Sequence, residues 1–332
     1  MWQHLKRDKR FWFSSAFITI FLLLSIGNTI FNDGHIRKVS IQFNKDGIPE
    51  VPPYPPSFQF LLGTDGKGFD LLNLVIEGAK WTIGISILIA LLRMVFGVCF
   101  GVFLGMYVKR GFTKLEAFFD SFTIIPMVMI AAFSLRHAIT FKNGEVMSTF
   151  FERASFEVIL LTALAVPTLS LYVANEIRKV STEEFIDAAR ILGGSKGHLL
   201  IKHVFPHLYP TFVIVFMQQF VQALIILLHL GLLGLFFGGT IEFFGGEADS
   251  FTHEWSGLIG VYFRSLSVHP WIPLVPITCF GLTIYSGNMI VKCIQDAVAK
   301  ARIREKVDQE EVETTQSMTQ TKEELFVFKH TM

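Results

Sequence analysis

Four polar side chains lie inside long apolar runs of this sequence, where they could contact a polar solute or one another. Arg93 is a single cation near the centre of one such run. Gln218, Gln222 and His229 share another run, at spacings that place them within about 40° of one another on a helix. Such a face can line a polar route between helices, or it can hold helices together by hydrogen bonds. Both interpretations stay open for these four residues.

Two other patterns that could carry chemistry are incomplete. Cys99, Cys279 and Cys293 lie in apolar or membrane-flanking runs without a CxxC spacing, so they are interpreted as small apolar residues and not as a metal site. The sequence has no GxxxxGK[ST] phosphate-binding loop. The segment Gly193–Gly197 has similar residue types, but in the wrong order and after a predicted helix. We therefore predict no catalytic residue, no metal ion and no cofactor held by this chain.

The composition indicates an integral membrane protein. Of 332 residues, 51% are hydrophobic and 17% are charged, where an average soluble chain has about 25% charged residues. The 29 Lys and Arg residues nearly balance the 28 Asp and Glu residues. So apolar a chain without a basic excess is neither disordered nor a nucleic-acid-binding protein. The lipid bilayer is the partner that this composition requires.

Six segments are apolar and long enough to cross about 30 Å of hydrocarbon as helices. They cover approximately residues 11–31, 81–108, 117–140, 156–177, 208–237 and 271–293. The first is longer than the apolar core of a secretory signal and lacks a small-residue cleavage site, so we predict a retained helix. The predicted fold is an all-α polytopic membrane protein with six transmembrane helices.

The distribution of Lys and Arg sets the predicted orientation. These residues are dense in segments 1–10, 109–116 and 178–207 and after residue 293, which predicts that these segments and both termini are cytoplasmic. The predicted organisation has five parts. They are a cytoplasmic N-terminus (1–10), the first helix (11–31), an external loop (32–80), a core of five helices with a cytoplasmic loop at 178–207 (81–298), and a disordered cytoplasmic tail (299–332).

The cytoplasmic loop has a pattern of its own. Ser181 and Glu184 have the spacing of a capping box, which predicts a helix start. Apolar positions then recur at helical spacing at Phe185, Ala188, Ala189 and Leu192. Gly193 follows, where a left-handed helix stop is favoured. We predict a second short helix over 196–203 that ends before Pro206. The alternative is an amphipathic helix that lies on the bilayer or on its own bundle.

Three motifs resemble one family. The sequence Asp187-Ala188-Ala189, followed by Gly193 and Pro206, resembles the "EAA" loop of ABC importer permeases. The longer string 184–195 is similar to the version found in oligopeptide and dipeptide permeases. The segment 62–70 with its LGTD sequence resembles the region before the second helix of their C-type subunit. The stretch from Gly287-Asn288-Met289 to Asp296-Ala297 resembles their final helix.

This resemblance implies a MetI-like fold and a transport subunit in the bacterial cytoplasmic membrane. It implies import of oligopeptides or dipeptides by alternating access, with an extracytoplasmic substrate-binding protein, a second permease subunit and separate ATPase subunits that bind ATP and magnesium. The loop would contact an ATPase subunit. The residues to which the resemblance assigns this contact are Glu184, Phe185, Asp187, Ala188, Ala189, Leu192, Gly193 and Pro206.

The sequence departs from the family at two positions. Phe69 stands where the family has Arg, and Leu227 stands where it usually has Glu. We expect Asp65 and Asp70 nearby to be turn and cap residues and not ligands. The alternatives are a nickel or metal-chelate importer permease of the same family, a transporter that needs no ATP, and a membrane scaffold that has lost transport. A transporter that needs no ATP typically has inverted repeats, and no such repeat is evident between the two halves of this sequence.

Overall fold

The computed structural model describes residues 2–43, 49–108, 110–122, 124–142, 148–242 and 248–330. Most of these residues are α-helical. A short helix α1 (Trp2–Arg7) precedes α2 (Lys9–Asn32), which begins at the N-cap Asp8. The remaining long helices are α3 (Leu71–Tyr107), α6 (Phe150–Val180), α9 (Phe205–Leu232) and α11 (Trp271–His330).

Within the described residues, five helical stretches are long and apolar enough to cross a membrane. They are Lys9–Asn32, Leu71–Tyr107, Phe150–Val180, Lys196–Leu232 and Trp271–Ala301. Each overlaps one of the six predicted spans. The predicted third span, 117–140, is not one helix: it is divided between α4 (Phe112–Phe122) and α5 (Met127–Ile139). Pro126 causes the break, since its ring disfavours helical geometry in the residue before it. Pro126 itself is the N-cap of α5.

The helices α3 and α6 pack through a row of glycines. A Cβ atom added to Gly97 or Gly101 would lie 2.6 Å from side-chain atoms of Leu169 or Val173. A Cβ atom on Gly105 would lie 3.2 Å from the carbonyl oxygen of Ala174. Small residues at every fourth position let two membrane helices approach until their backbones touch. This glycine row fixes α6 against the centre of the bundle.

Trp255 lies at the end of the bundle where α3 begins. It is the first residue of α10 (Trp255–Tyr262) and is completely buried. Its indole Nε1 donates to the carbonyl oxygen of Val75 at 2.8 Å, and its backbone N–H donates to Thr82 Oγ1 at 2.9 Å. A buried indole normally finds such a partner. Both partners are on α3, so α10 is held on that helix.

Short strands cover the same end. A hairpin pairs β1 (Gln42–Phe43) with β2 (Pro49–Glu50) in antiparallel fashion. A second sheet has the order β3 (Thr140–Lys142), β4 (Thr240–Glu242) and β5 (Ala248–Ser250). The β3–β4 pair is parallel and the β4–β5 pair is antiparallel. The second sheet ties the end of α5 to the chain that follows α9.

The structure differs from the predicted boundaries in two places. Asp70 Oδ1 accepts a hydrogen bond from the backbone N–H of Leu72, so α3 begins at Leu71 and not near Trp81. This confirms the prediction that Asp70 is a cap. The tail predicted to be disordered continues α11 to His330. After Gly287 the sequence contains no Gly or Pro, and strong helix formers such as Ala, Glu, Lys and Gln are frequent there.

Candidate functional site

The loop with the "EAA"-like sequence forms helix α7 (Glu184–Ile191) directly after α6. The predicted capping box at its start is wrong, because the N-cap is Glu183 and no side chain caps the helix. Ser181 is instead the C-cap of α6, and its hydroxyl donates to the carbonyl oxygen of Ile177 at 2.6 Å. A capping box does occur at the opposite end of α6, between Thr149 and Glu152.

The predicted glycine stop of α7 is confirmed. Leu192 is the C-cap, and Gly193 has a φ of +89°, in the left-handed region that favours glycine. The backbone N–H of Gly194 then donates to the carbonyl oxygen of Ala189 at 3.2 Å, which closes the turn. A Cβ atom on Gly193 would have no atom within 4 Å, so the requirement for glycine comes from backbone geometry alone.

Helix α7 presents apolar side chains outward. Ile186, which the sequence pattern did not single out, is 1% exposed and anchors the helix on the bundle. Phe185 is 43% exposed, and Ile191 and Leu192 are 85% and 88% exposed. The predicted contact residues Glu184, Asp187 and Ala188 are also exposed, and Ala189 is half-buried. Exposed large apolar side chains grouped on one short helix are typical of a docking surface.

Pro206 does not end a helix, contrary to the prediction. The helix α8 (Lys196–Leu199) passes through a π-helical turn (Leu200–Val204) into α9, and Pro206 lies in the first turn of α9. Proline lacks the N–H donor of a continuous helix, and a local π-helical adjustment such as the one before Pro206 is a common way in which a membrane helix accommodates it. The backbone N–H of Phe205 donates to Leu200, five residues earlier, as in a π-helix. The loop is thereby continuous with α9.

Arg93 is fully buried and bonded to two neighbouring helices. Its Nε and Nη2 donate to the carbonyl oxygen of Leu161 on α6 at 3.0 and 2.7 Å. Its Nη1 donates to Oε1 of Gln219 on α9 at 3.3 Å. Arg93 therefore faces the bundle interior, where a charge within a membrane helix finds polar partners. Its glutamine partner is Gln219, which the sequence analysis did not name.

The other three candidates form an exposed face of α9. Gln218, Gln222 and His229 are exposed, and they alternate with Ile225 and Leu232, which are 37% and 49% exposed. We call these five residues the α9 stripe. His229 Nδ1 lies 2.6 Å from the carbonyl oxygen of Ile225 on the same helix. Within the described part of the chain, none of the three polar side chains bonds to another helix, so the structure places them apart from Arg93.

Two cavities lie at the ends of the α9 stripe. The first, which we call the inner cavity, has a volume of about 350 Å³; it lies beside the end of α6 and includes Gln218, Glu183 and His207 in its lining. The second, the outer cleft, has a volume of about 1310 Å³ and lies at the opposite end of α9. Its lining includes Leu232, Arg136 and Arg264. The stripe therefore runs from one cavity to the other.

The LGTD-type segment forms part of the outer cleft. Asp65 Oδ1 accepts from the backbone N–H groups of Lys67 and Phe69, which confirms its predicted role in a turn. Its Oδ2 accepts from the hydroxyl of Tyr262 at 2.9 Å. Burial raises the pKa of the Asp65 carboxyl. Burial and the nearby Asp65 raise the pKa of Tyr262 well above its ordinary value, so the phenol remains a donor at neutral pH.

The two residues that depart from the family pattern, Phe69 and Leu227, both have partners in the structure. The ring of Phe69 lies 4.9 Å from the ammonium of Lys38, a cation–π contact, and 6.4 Å from the ring of His253. Leu227 is 4% exposed and belongs to an apolar cluster with Ile89 and Leu135. Both substitutions are therefore accommodated by packing.

Replacing Gln219 with leucine is expected to lower the stability of the bundle by about 1 kcal/mol, because an interhelical hydrogen bond to Arg93 is lost. The matched control is Gln218→Leu at the adjacent, exposed position. Thermal unfolding of the purified chain in detergent measures both. Equal shifts for the two variants would show that the Arg93 contact does not stabilise the protein.

Comparisons with known proteins agree with these features. Residues 97–304 match the family described as binding-protein-dependent transport system inner membrane component. The chain is 22% identical, over 89% of its length and 87% of the relative, to the dipeptide transport system permease protein DppC of Alkalihalophilus pseudofirmus. It is 24% identical to a peptide transport system permease protein of Brucella suis, over 74% of each chain.

A solved structure of the MetNI methionine ABC transporter in inward-facing conformations has a chain that is 16% identical. The match covers 67% of this protein and 96% of that chain, with a TM-score of 0.47. The assignment rests on the family match, which spans more than half of the sequence, and on the five long apolar helices. The chain therefore belongs to the family of binding-protein-dependent transport system inner membrane components, as a multi-pass protein of the bacterial inner membrane.

Proposed function

We propose that this chain is the permease subunit of an ABC importer for oligopeptides or dipeptides. Substrate delivered by an extracytoplasmic binding protein passes between this chain and a second permease subunit. Separate ATPase subunits bind ATP and magnesium and drive alternating access. The substrate class is supported by the names of the two relatives and by the LGTD-type and "EAA"-like segments.

The α9 stripe is the observation on which the proposal mainly depends. Amide and imidazole groups that faced hydrocarbon would be energetically unfavourable, so an exposed polar face on a membrane helix indicates water or a protein partner. The stripe begins in the inner cavity and ends in the outer cleft, both of which have charged residues in their lining. A second permease packed opposite this face would enclose a polar route across the membrane.

The exposed face of α7 supports the proposed coupling. Phe185 and Ile191 on α7 and Leu192 directly after it are exposed apolar side chains, and Ile186 anchors this short helix on the bundle. Inserted into a groove of an ATPase subunit, this surface would be buried, and movement of that subunit would be transmitted to the ends of α6 and α9. This chain contributes no group to ATP hydrolysis in the proposal. Its role is to bind the ATPase subunit, to move with it and to line the route of the substrate.

Cysteine accessibility tests the route. We expect single cysteines at Gln218 and Gln222, in an otherwise cysteine-free chain reconstituted with its partner subunits, to react with a small water-soluble thiol reagent. The rates should change when ATP is trapped in the ATPase subunits, because alternating access exposes the same wall to opposite sides. Uptake of a labelled dipeptide into proteoliposomes measures transport in the same preparation.

The matched control is a cysteine at Leu91, which is 50% exposed on α3 and is flanked by Ala90 and Leu92. It should remain unreactive in both nucleotide states. If the cysteines at Gln218 and Gln222 also remain unreactive in both states, the stripe is not a solute route. If they react but no peptide is taken up, the route stands and the proposed substrate class is wrong.

A further inference from the structure

The chain that follows α9 is held by one side chain of its own, Thr240, and by two from other parts of the protein, Glu157 and Glu254. The backbone N–H groups of residues 236–238 donate in turn to Thr240 Oγ1 at 2.8 Å, to Glu254 Oε1 at 2.9 Å and to Glu157 Oε2 at 3.2 Å. We call residues 236–238 the clamped segment. Glu157 is on α6, and Glu254 is the N-cap of α10. The bonds to Glu157 and Glu254 therefore tie α6 and α10 to the chain that follows α9.

Both carboxyl groups of this arrangement are buried. Glu157 is 0% exposed and Glu254 is 2% exposed. Because they accept from adjacent backbone amides, the two carboxyl groups are neighbours. Two ionised carboxylates that share a buried site repel each other strongly, and such a pair normally keeps one proton. The pair is not part of the proposed substrate route.

The surrounding groups decide which carboxyl is ionised. Glu254 accepts from the backbone of Phe237 and from the hydroxyls of Ser250 and Thr252. Donated hydrogen bonds favour the charged form, and they oppose the rise in the pKa of Glu254 that burial causes. Glu157 accepts from one backbone N–H, and its Oε1 has no hydrogen-bond partner among the described residues.

The cation one turn before Glu157 is already engaged. Arg153, one turn before Glu157 on α6, donates through Nε to the carbonyl oxygen of Gly238 at 2.7 Å and through Nη1 to the carbonyl oxygen of Ser148. Its guanidinium also lies over the rings of Phe141 and Phe251, at 4.7 and 5.2 Å from their centroids. Within the described residues, Arg153 forms no ion pair with either carboxyl group.

We infer that Glu157 carries a proton at neutral pH, beside an ionised Glu254, and that this pair positions one wall of the outer cleft. Leu235 and Phe236 line that cleft, and Phe236 is part of the clamped segment. Loss of the proton from Glu157 places a second negative charge in the buried site. The clamped conformation binds one more proton than a released one, so rising pH favours release.

Infrared spectroscopy of the full-length chain in lipid bilayers tests the protonation. The protein should show the carbonyl band of a protonated carboxylic acid at neutral pH, and Glu157→Gln should remove it. The control Glu242→Gln, a partly exposed carboxyl of the outer cleft, should keep the band. An equal band in the wild type and in Glu157→Gln would overturn the inference.

A second variant tests the inference without changing Glu157, so the result does not depend on whether a substitution at position 157 folds. Glu254→Gln keeps an acceptor for the N–H of Phe237 but removes the neighbouring negative charge. Ionised Glu157 is then less unfavourable, so the band should titrate away at lower pH than in the wild type. An unchanged titration in Glu254→Gln would contradict the coupling between the two carboxyl groups.

The positioning role is tested by transport, and this arm rests on the proposed function. Uptake by the reconstituted importer should fall about fivefold between about pH 6 and about pH 9 in the wild type, and less than twofold in Glu157→Gln, which mimics the protonated form. Glu157→Leu, which cannot accept from Gly238, should lose most uptake. Parallel pH profiles for wild type and Glu157→Gln would refute the role. If no peptide is transported at all, the infrared result still decides the protonation.

Discussion

Replacing Gly193 with valine is expected to reduce peptide uptake by the assembled importer at least about tenfold while the chain still inserts into the membrane. The φ of +89° at this position is in the left-handed region, which costs an ordinary residue about 1–2 kcal/mol and a β-branched residue more. The valine variant is expected to relax to negative φ. The chain would then leave α7 in a different direction and displace the exposed Ile191 and Leu192. Uptake, ATPase activity and membrane yield measure the three consequences separately.

Gly197→Val is the matched control for this prediction. A Cβ atom at either glycine would have no atom within 4 Å, and only Gly193 has a positive φ. The control should therefore retain uptake within about twofold, since a valine in a helix loses only a fraction of a kcal/mol relative to the best helix formers. Normal uptake by Gly193→Val, or an equal loss in both variants, would remove the basis for a coupling role of this turn.

Replacing Gly260 with valine is expected to impair folding strongly. A Cβ atom on Gly260 would lie 2.2 Å from the carbonyl oxygen of Gly231 and 2.8 Å from the ring of Phe236. The first contact is with backbone, so α9 and α10 must separate. Overpacking typically costs about 1–3 kcal/mol, and we expect the upper end of that range or more because no flexible side chain can yield. Thermal unfolding in detergent and the yield of folded protein provide the measurement.

Gly84→Val on α3 serves as the control. Its Cβ would meet no atom within 4 Å, and it substitutes the same residue type in the interior of another helix. The two variants share the intrinsic preference of valine for a helix, so their difference isolates the contact between α9 and α10. A Gly260→Val protein as stable as Gly84→Val would mean that these helices are free to move apart.

Features with a strong local cause were predictable from the sequence. The helix stop at Gly193 follows from the preference of glycine for positive φ, and the start of a helix after Asp70 follows from the ability of its carboxylate to accept from backbone N–H groups. The interior position of Arg93 follows from the energetic penalty of a charge in hydrocarbon. In each case one residue type allows essentially one arrangement.

Features that depend on packing were not predictable. Ser181 has the sequence pattern of an N-cap, but packing extends α6 to Val180 and makes Ser181 a C-cap. Gln218 and Gln219 are adjacent in sequence, and only the relative rotation of α3 and α9 decides which of them meets Arg93. Glu157 and Glu254 belong to separate helices, and no local pattern relates them.

The lengths of two helices also differ between the prediction and the structure. The segment 117–140 has enough apolar residues for one membrane-spanning helix, and this composition predicted a single span. In the structure Pro126 divides the segment into two helices. In the tail, the count of charged residues predicted disorder, while the same residues are good helix formers and continue α11. Composition alone does not distinguish a solvated helix from a disordered chain.

The position of α6 has a mechanical consequence. Its last residue, Val180, leads within four residues into α7, while Glu157 near its other end holds the clamped segment. A helix of 31 residues is about 46 Å long, with Pro167 close to its midpoint. For a rigid rod of this length, a tilt of about 5° about the centre displaces each end by about 2 Å, and it displaces Glu157, about 12 Å from the midpoint, by about 1 Å. A small angular motion at the α7 end is thus geometrically enough to stretch the 3.2 Å bond between Gly238 and Glu157 beyond hydrogen-bond distance, without any flexible relay between them.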